Sequence, residues 1–172
     1  FPRVIIVRGL GMWTAGKDKR SAHIAQDIYR HTIDIIINAD SIDTYTSLSD
    51  QQSYDAEYWP LELYKRSLAP VDKELSRQVA LVTGAASGIG KAIARRFLKE
   101  GAHVIATDVD YESLKVLSDK LCKSYGDDRI LPIRMDVTNE SEIITAFEKI
   151  KLTFGGLDIL VSNAGAAYTG LI

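Results

Sequence analysis

One octet, Thr83-Gly84-Ala85-Ala86-Ser87-Gly88-Ile89-Gly90, constrains this chain more than any other feature. It follows the apolar run Val79 to Val82 and opens the run Lys91 to Glu100, which Gly101 ends. A glycine-rich turn between a strand and a helix lets backbone N–H groups approach a phosphate at the positive end of the helix dipole. A Cβ would block that approach or the turn itself. An acid, Asp108, stands eighteen residues past Gly90. The whole pattern fits a nucleotide-binding βαβ unit.

A chain of 172 residues suits one ordinary domain or pieces of two. With 46% apolar and 26% charged residues its composition is globular. The net charge is −2, with nine basic and eleven acidic side chains over residues 1–76 and twelve of each over 77–172. So even a balance predicts neither a nucleic-acid nor a membrane surface. No apolar run approaches the roughly 20 residues of a membrane helix. The single cysteine, Cys122, cannot close an intrachain disulfide, and a reducing cytoplasm is the expected compartment. Asn139-Glu140-Ser141 matches a glycosylation sequon and, with no secretory signal, is read as accidental. The chain starts at Phe1, and Val4 to Val7 already reads as buried strand, so the sequence is expected to be cut at both ends.

In the first segment, Val4–Val7 and Met12–Ala15 read as two short strands around a turn at Gly9 and Gly11. From Asp18 to about Asn38 the pattern is helical, with Ala22, Ala25, Ile28, Thr32 and Ile35 on one predicted apolar face. Ser47 or Ser49 can cap the next helix, Ser49 having Gln52 three residues on. Pro60 predicts a break near Trp59. The stretch 71–77 changes character and reads as a domain linker. His23 and His31 are eight apart, not a usual zinc spacing, and no metal site is expected. Trp13, Tyr58 and Trp59 are expected in a core or an interface.

From residue 78 strand and helix alternate, which predicts a parallel sheet. The expected strands are 78–83, Ala102–Thr107, Ile130–Met135 and Leu157–Ser162. The helix after the octet carries an Ile89, Ile93, Phe97 stripe. The next is capped by Asp110 with Leu114, Leu117 and Leu121 inward. The third is capped by Thr138, with Ile143, Phe147, Ile150 and Phe154 as its core face. The fold class is therefore α/β: the first half of a doubly wound, Rossmann-type parallel sheet, preceded by an α+β fragment of a separate domain.

The chemistry is expected at the carboxyl ends of the strands, where open α/β sheets bind ligands. Asp108 is placed to accept both ribose hydroxyls of an adenosine. A 2′-phosphate there would be repelled by the carboxylate. Ser87, not Arg or Lys, precedes Gly88, so NAD is favoured over NADP. A P-loop is ruled out because Ala92 offers no hydroxyl to magnesium and Ala85 stands in place of the leading glycine. S-adenosylmethionine enzymes share the glycine turn and the acid but not the pattern at Asp136 and Asn163. Alone, Asp136 reads equally as a turn residue, and Asn163 as a turn residue.

Together these motifs carry a resemblance. Thr83-Gly84-x-x-x-Gly88-x-Gly90, Asp108, Asp136-Val137 and Asn163-Ala164-Gly165 resemble the cofactor half of the short-chain dehydrogenase/reductase family over about 95 residues. The resemblance implies that Gly84, Ser87, Gly88 and Ile89, with Gly90 closing the turn, line a pyrophosphate. It implies further that Asp108 holds the adenosine ribose and that Asp136 and Val137 flank the adenine. Asn163, Ala164 and Gly165 would lie beside the cofactor and brace the sheet. The first 70 residues resemble the tail of a class II aldolase domain, through Arg8-Gly9-Leu10-Gly11-Met12-Trp13, Gly16-Lys17-Asp18, Glu57-Tyr58-Trp59 and Leu61-Glu62. That pairing is similar to the bifunctional rhamnulose-1-phosphate aldolase/lactaldehyde dehydrogenases. Related aldolases carry a zinc-binding histidine where Leu10 stands here, so the resemblance implies a fusion partner rather than a metal.

The family's serine and Tyr-x-x-x-Lys pair are expected downstream of Gly165, and the sequence runs only seven residues further. Tyr168 has Ile172 four positions on, while Tyr111 has Lys115 but lies on the wrong helix. No catalytic residue is assigned. Two classes stay open: an NAD-dependent oxidoreductase of a small alcohol or aldehyde, or a non-catalytic nucleotide-binding or assembly module. A homo-oligomer, or pairing with the rest of the same protein, is expected from the apolar strand at Leu157–Ser162. That edge is expected to be covered by a second copy, by residues 1–15 or by the remaining polypeptide.

Overall fold

The computed structural model describes residues 2–165. The chain divides into two compact units, Phe1–Gly16 with Ser21–Asp72, and Lys17–Arg20 with Lys73–Ile172. Of the stretch read as a linker, residues from Lys73 on group with the second unit.

In the first unit β1 (Val4–Val7) and β2 (Gly11–Thr14) form an antiparallel hairpin with Val7 opposite Gly11. The helices α1 (Lys19–Asp40), α2 (Asp50–Glu57) and α3 (Pro60–Ser67) follow. Ser49 caps α2 reciprocally: the Gln52 N–H donates to Ser49 Oγ at 3.3 Å and the Ser49 N–H to Gln52 Oε1 at 2.9 Å. Pro60 opens α3, where its missing N–H costs nothing. Two expectations fail here, the first of them in part. The half-buried side of α1 includes Ala22, Ala25 and Thr32 of the predicted face but continues through Gln26, Tyr29, Ile33 and Ile36, and it leaves Ile28 and Ile35 exposed. Ala22 and Ala25 are small enough to border either stripe, so they do not fix the rotation. The expected burial of the first strand also fails, since Ile5, Ile6 and Val7 are exposed. Trp13, Tyr58 and Trp59 are about half exposed and join no core of this unit, which leaves the interface as the place expected for them.

The second unit begins with β3 (Val79–Thr83), α4 (Gly88–Lys99), β4 (His103–Asp108) and α5 (Tyr111–Tyr125). A short 3-10 turn, Asp127–Arg129, leads into β5 (Ile130–Arg134), α6 (Glu140–Phe154) and β6 (Ile159–Val161). The four strands are parallel in the order β5-β4-β3-β6. Numbered within this unit that order is 3-2-1-4, the beginning of the doubly wound arrangement. The central strands are apolar on both faces, as a sheet covered on two sides requires. Val82, Val104 and Ala106 pack with Ala94, Leu98, Leu114, Leu117 and Leu121 of α4 and α5. Leu81, Ile105 and Ile133 pack with Ala146 and Ile150 of α6.

Three details depart from the predicted pattern. On α4 Ile93 and Phe97 pack against the core beside the buried Gly90, Ala94 and Leu98, but Ile89 is 73% exposed, because Gly90 is the residue the helix turns against the Gly84 carbonyl. Asn139, not Thr138, caps α6, accepting the Ser141 N–H at 3.1 Å, since the Thr138 hydroxyl is already given to Asp136. Phe147 is exposed, and Ala146 takes the inward place beside Ile150. In the sheet, β1 and β2 pair only with each other and β6 pairs only with β3 among the described residues.

Candidate functional site

The carboxyl ends of β3, β4, β5 and β6 bring together the glycine turn, Asp108, the Asp136 turn and the segment Asn163–Gly165. Thr83 closes β3 and is buried, and its hydroxyl accepts the N–H groups of Asn163 and Ala164, each at 2.9 Å. In return Asn163 Nδ2 donates to the carbonyls of Thr83 at 2.9 Å and Gly84 at 3.3 Å. The segment after β6 is thereby clamped to the turn after β3.

The glycines of the turn are required for two different reasons. A Cβ on Gly90 would stand 2.1 Å from the Gly84 carbonyl oxygen and 2.6 Å from Asn163 Nδ2, so protein packs against protein there. Gly88 has φ +52°, in the left-handed region that favours glycine, and an added Cβ would meet nothing within 4 Å. It faces open space. At this position α4 begins, its cap residue Ser87 makes no side-chain capping bond, and the first helical hydrogen bond runs from the Lys91 N–H to the Ser87 carbonyl at 3.1 Å. Among the described residues nothing accepts the N–H groups of Gly88 and Ile89. Free N–H groups at a helix start, beside a cradle that a side chain would fill, fit a diphosphate.

Asp108 is half-buried at the end of β4. Its Oδ2 accepts the Ala86 N–H at 2.9 Å and its Oδ1 accepts the Asp110 N–H at 3.0 Å. Both oxygens are thus fixed between the glycine turn and α5, and each keeps lone-pair capacity for a hydroxyl donor. Asp136 differs. Its Oδ1 accepts both the N–H and the hydroxyl of Thr138, at 2.9 and 2.7 Å. Those bonds hold its carboxyl below the usual range, with a lesser contribution from Arg134. The carboxylate is committed to its own turn and shapes it, leaving Val137, 41% exposed, on the surface. Gly165 is exposed and Ala164 half-buried beside Gly84.

The octet includes Thr83 without showing its clamp, and sequence spacing alone does not single out Val109 and Glu142. Glu142 accepts the Asp136 N–H at 2.9 Å and the Arg134 Nη1 donor at 2.8 Å. Its signal is present, because an acid three residues after an asparagine cap is a capping-box pattern. Val109 is an exposed apolar residue next to Asp108, and only the strand-end position could have marked it. Tyr168 lies outside the described residues. No group of three metal-ligating side chains occurs among the described residues, His23 and His31 included.

The family model for short chain dehydrogenase matches residues 78–172. The chain belongs to the short-chain dehydrogenase family. Residues 1–65 match the model for aldolase class II, second domain, so this dehydrogenase sequence is joined to an aldolase-type region. The uncharacterized oxidoreductase YuxG of Bacillus subtilis is 44% identical over 166 residues, covering 96% of this chain and 24% of that protein. The 3beta-hydroxysteroid dehydrogenase 2 of Eggerthella lenta is 42% identical over 91 residues, 53% of this chain and 34% of its own length. Among solved structures, L-sorbose reductase of Gluconobacter frateurii, complexed with NADPH and L-sorbose, matches with a TM-score of 0.55 and 37% identity. That match covers 59% of this chain and 38% of the reductase. The chain spans about a quarter to two-fifths of the length of these relatives.

Proposed function

We propose that this short-chain dehydrogenase sequence is the cofactor half of an enzyme that moves hydride between NAD and a small alcohol or aldehyde. Lactaldehyde is the first substrate to try, because of the aldolase-type region. One observation carries the reading: the Asp108 carboxylate is held by two backbone N–H groups beside the open cradle at Gly88. In it Gly84, Ser87, Gly88, Ile89 and Gly90 form the diphosphate cradle, and Asp108 takes the hydroxyls of the adenosine ribose. Val137, supported by Asp136, flanks the adenine, and Asn163, Ala164 and Gly165 keep the turn in register. The nicotinamide, when bound, supplies or accepts the hydride.

NADP is the second reading, favoured by the NADPH bound to the sorbose reductase. Against it stands the carboxylate of Asp108, which a 2′-phosphate would approach at close range. Asp108→Ala should weaken NAD binding by about 1–3 kcal/mol, the scale of a lost set of charge-assisted hydrogen bonds, and should narrow the preference for NAD over NADP. Calorimetric titration of the intact protein with each cofactor checks this, and unchanged affinity together with unchanged preference contradicts it.

Turnover needs proton transfer as well, commonly worth about 10²–10⁴-fold in rate. Within this sequence Tyr-x-x-x-Lys occurs only at Tyr111–Lys115, on α5. The 172-residue polypeptide alone should therefore show no NADH formation or consumption with lactaldehyde or other small alcohols and aldehydes. Turnover at ordinary dehydrogenase rates by that polypeptide would favour a different catalytic arrangement.

A further inference from the structure

Glu142 sits in the first turn of α6 and joins three groups with one carboxylate. Its Oε2 accepts the Arg134 Nη1 donor at 2.8 Å and the Asp136 N–H at 2.9 Å, and its Oε1 accepts Asn139 Nδ2 at 3.2 Å. The Asp136 bond pins the backbone of the turn that presents Val137. The Arg134 bond has a second consequence. Arg134 is the register partner of Asp108 across β4 and β5, and paired residues of neighbouring parallel strands leave the sheet on the same face. A free guanidinium there would be the cation nearest in register to the ribose-binding carboxylate. A cation beside Asp108 would offset its repulsion of a 2′-phosphate.

We propose that Glu142 is a positioning residue with two separable effects: it holds the Asp136–Val137 turn against the adenine, and it keeps the Arg134 guanidinium away from Asp108. The inference rests on the cofactor reading above. It adds to that reading a source of NAD selectivity lying outside the glycine turn and outside Asp108. The charge-assisted bonds that hold Glu142 also keep its carboxyl ionised below the usual range, chiefly through the Asp136 N–H and Arg134.

The test is calorimetric titration of the intact protein with NAD and with NADP, with circular dichroism to verify folding of each variant. Glu142→Ala should lower NAD affinity about five- to tenfold, the scale of one ordinary hydrogen bond because the effect reaches the adenine only through the turn, and should narrow the NAD to NADP ratio as Arg134 is released. Glu142→Gln should recover most of the NAD affinity, because its amide oxygen still accepts the Asp136 N–H, and should leave the ratio partly narrowed, because the same oxygen then holds Arg134 without the charge. Arg134→Ala added to Glu142→Ala should restore the ratio without restoring NAD affinity. If Glu142→Ala fails to fold, the narrowed ratio in Glu142→Gln carries the test.

Wild-type affinity and ratio in the folded Glu142 variants would overturn the proposal. So would a loss of NAD affinity with the ratio unmoved, which is what simple loosening of α6 would give. Absence of NAD binding by the wild-type protein would overturn the cofactor reading itself. Sensitivity to Asp108→Ala with silent Glu142 variants would overturn this inference alone.

Discussion

Gly88 and Gly90 stand two residues apart and answer to opposite constraints. At Gly90 the constraint is internal, since any Cβ collides with the Gly84 carbonyl. Gly90→Ala should therefore act on stability first, by about 1–3 kcal/mol or more as for other overpacked sites, seen as a lower urea midpoint of the second unit. At Gly88 the Cβ meets nothing, and the only internal cost is the left-handed φ, about 1–2 kcal/mol for an L-residue. Gly88→Ala should thus lose NAD affinity out of proportion to its modest loss of stability. Equal behaviour of the two variants in both measurements would contradict this division. Both glycines are readable in the octet, because turn chemistry is local. Glu142 is readable only as a capping-box acid, since its bonds to Arg134 and Asp136 form only after the chain turns from β5 into α6. Burial pushes the Cys122 thiol up, which disfavours its thiolate.

At the scale of elements, the site is held by contacts between strand ends. Thr83→Val removes the hydroxyl that accepts two N–H groups at a buried position. That should cost about 1–3 kcal/mol for the donors left unsatisfied, measured by urea denaturation of the intact protein, and an unchanged midpoint would contradict the clamp. The start of α6 gives a pH prediction. Asp136 and Glu142 both have lowered pKa values in the folded protein, through the Thr138 bonds and through the Asp136 N–H respectively. The unfolded chain then binds more protons across the interval between folded and ordinary values, so their stabilisation is present above the ordinary carboxylate range and lost as pH falls through the folded values. Thermal midpoints followed into acid should fall less steeply in Asp136→Asn and Glu142→Gln than in the wild type; parallel curves would contradict the assignment.

The elements themselves are legible because each strand is a short apolar run bounded by Gly or Asp, and each helix of the second unit has a cap or a glycine stop. The helix faces are less so. On α4 the apolar Ile89 suggests core, but a glycine at the next position lets the helix approach the turn and turns Ile89 outward. On α1 alanines border two stripes equally, and the rotation is set by packing that periodicity does not encode.

For the whole molecule, the strand order β5-β4-β3-β6 places the ends of β3 and β4 at the centre of the ligand-binding edge. That order is readable from alternation and from the glycine turn, since a parallel sheet with such a turn has few topologies. What covers β6 is not, because pairing across a sheet edge is a long-range fact. Leu160 of β6 is 57% exposed and the strand has no second neighbour among the described residues. We expect that edge to be paired, with a second copy or with other residues of the same protein, since unpaired strands recruit partners. The isolated 172-residue polypeptide should accordingly associate in light scattering, and a well-folded monomer at high concentration would contradict this.

Where the dinucleotide lies decides the function. A crystal structure of the intact protein with NAD measures that directly. It should place the diphosphate against the N–H groups of Gly88 and Ile89 and the adenosine ribose within hydrogen-bonding distance of Asp108. NAD bound elsewhere, or with its ribose away from Asp108, would contradict it.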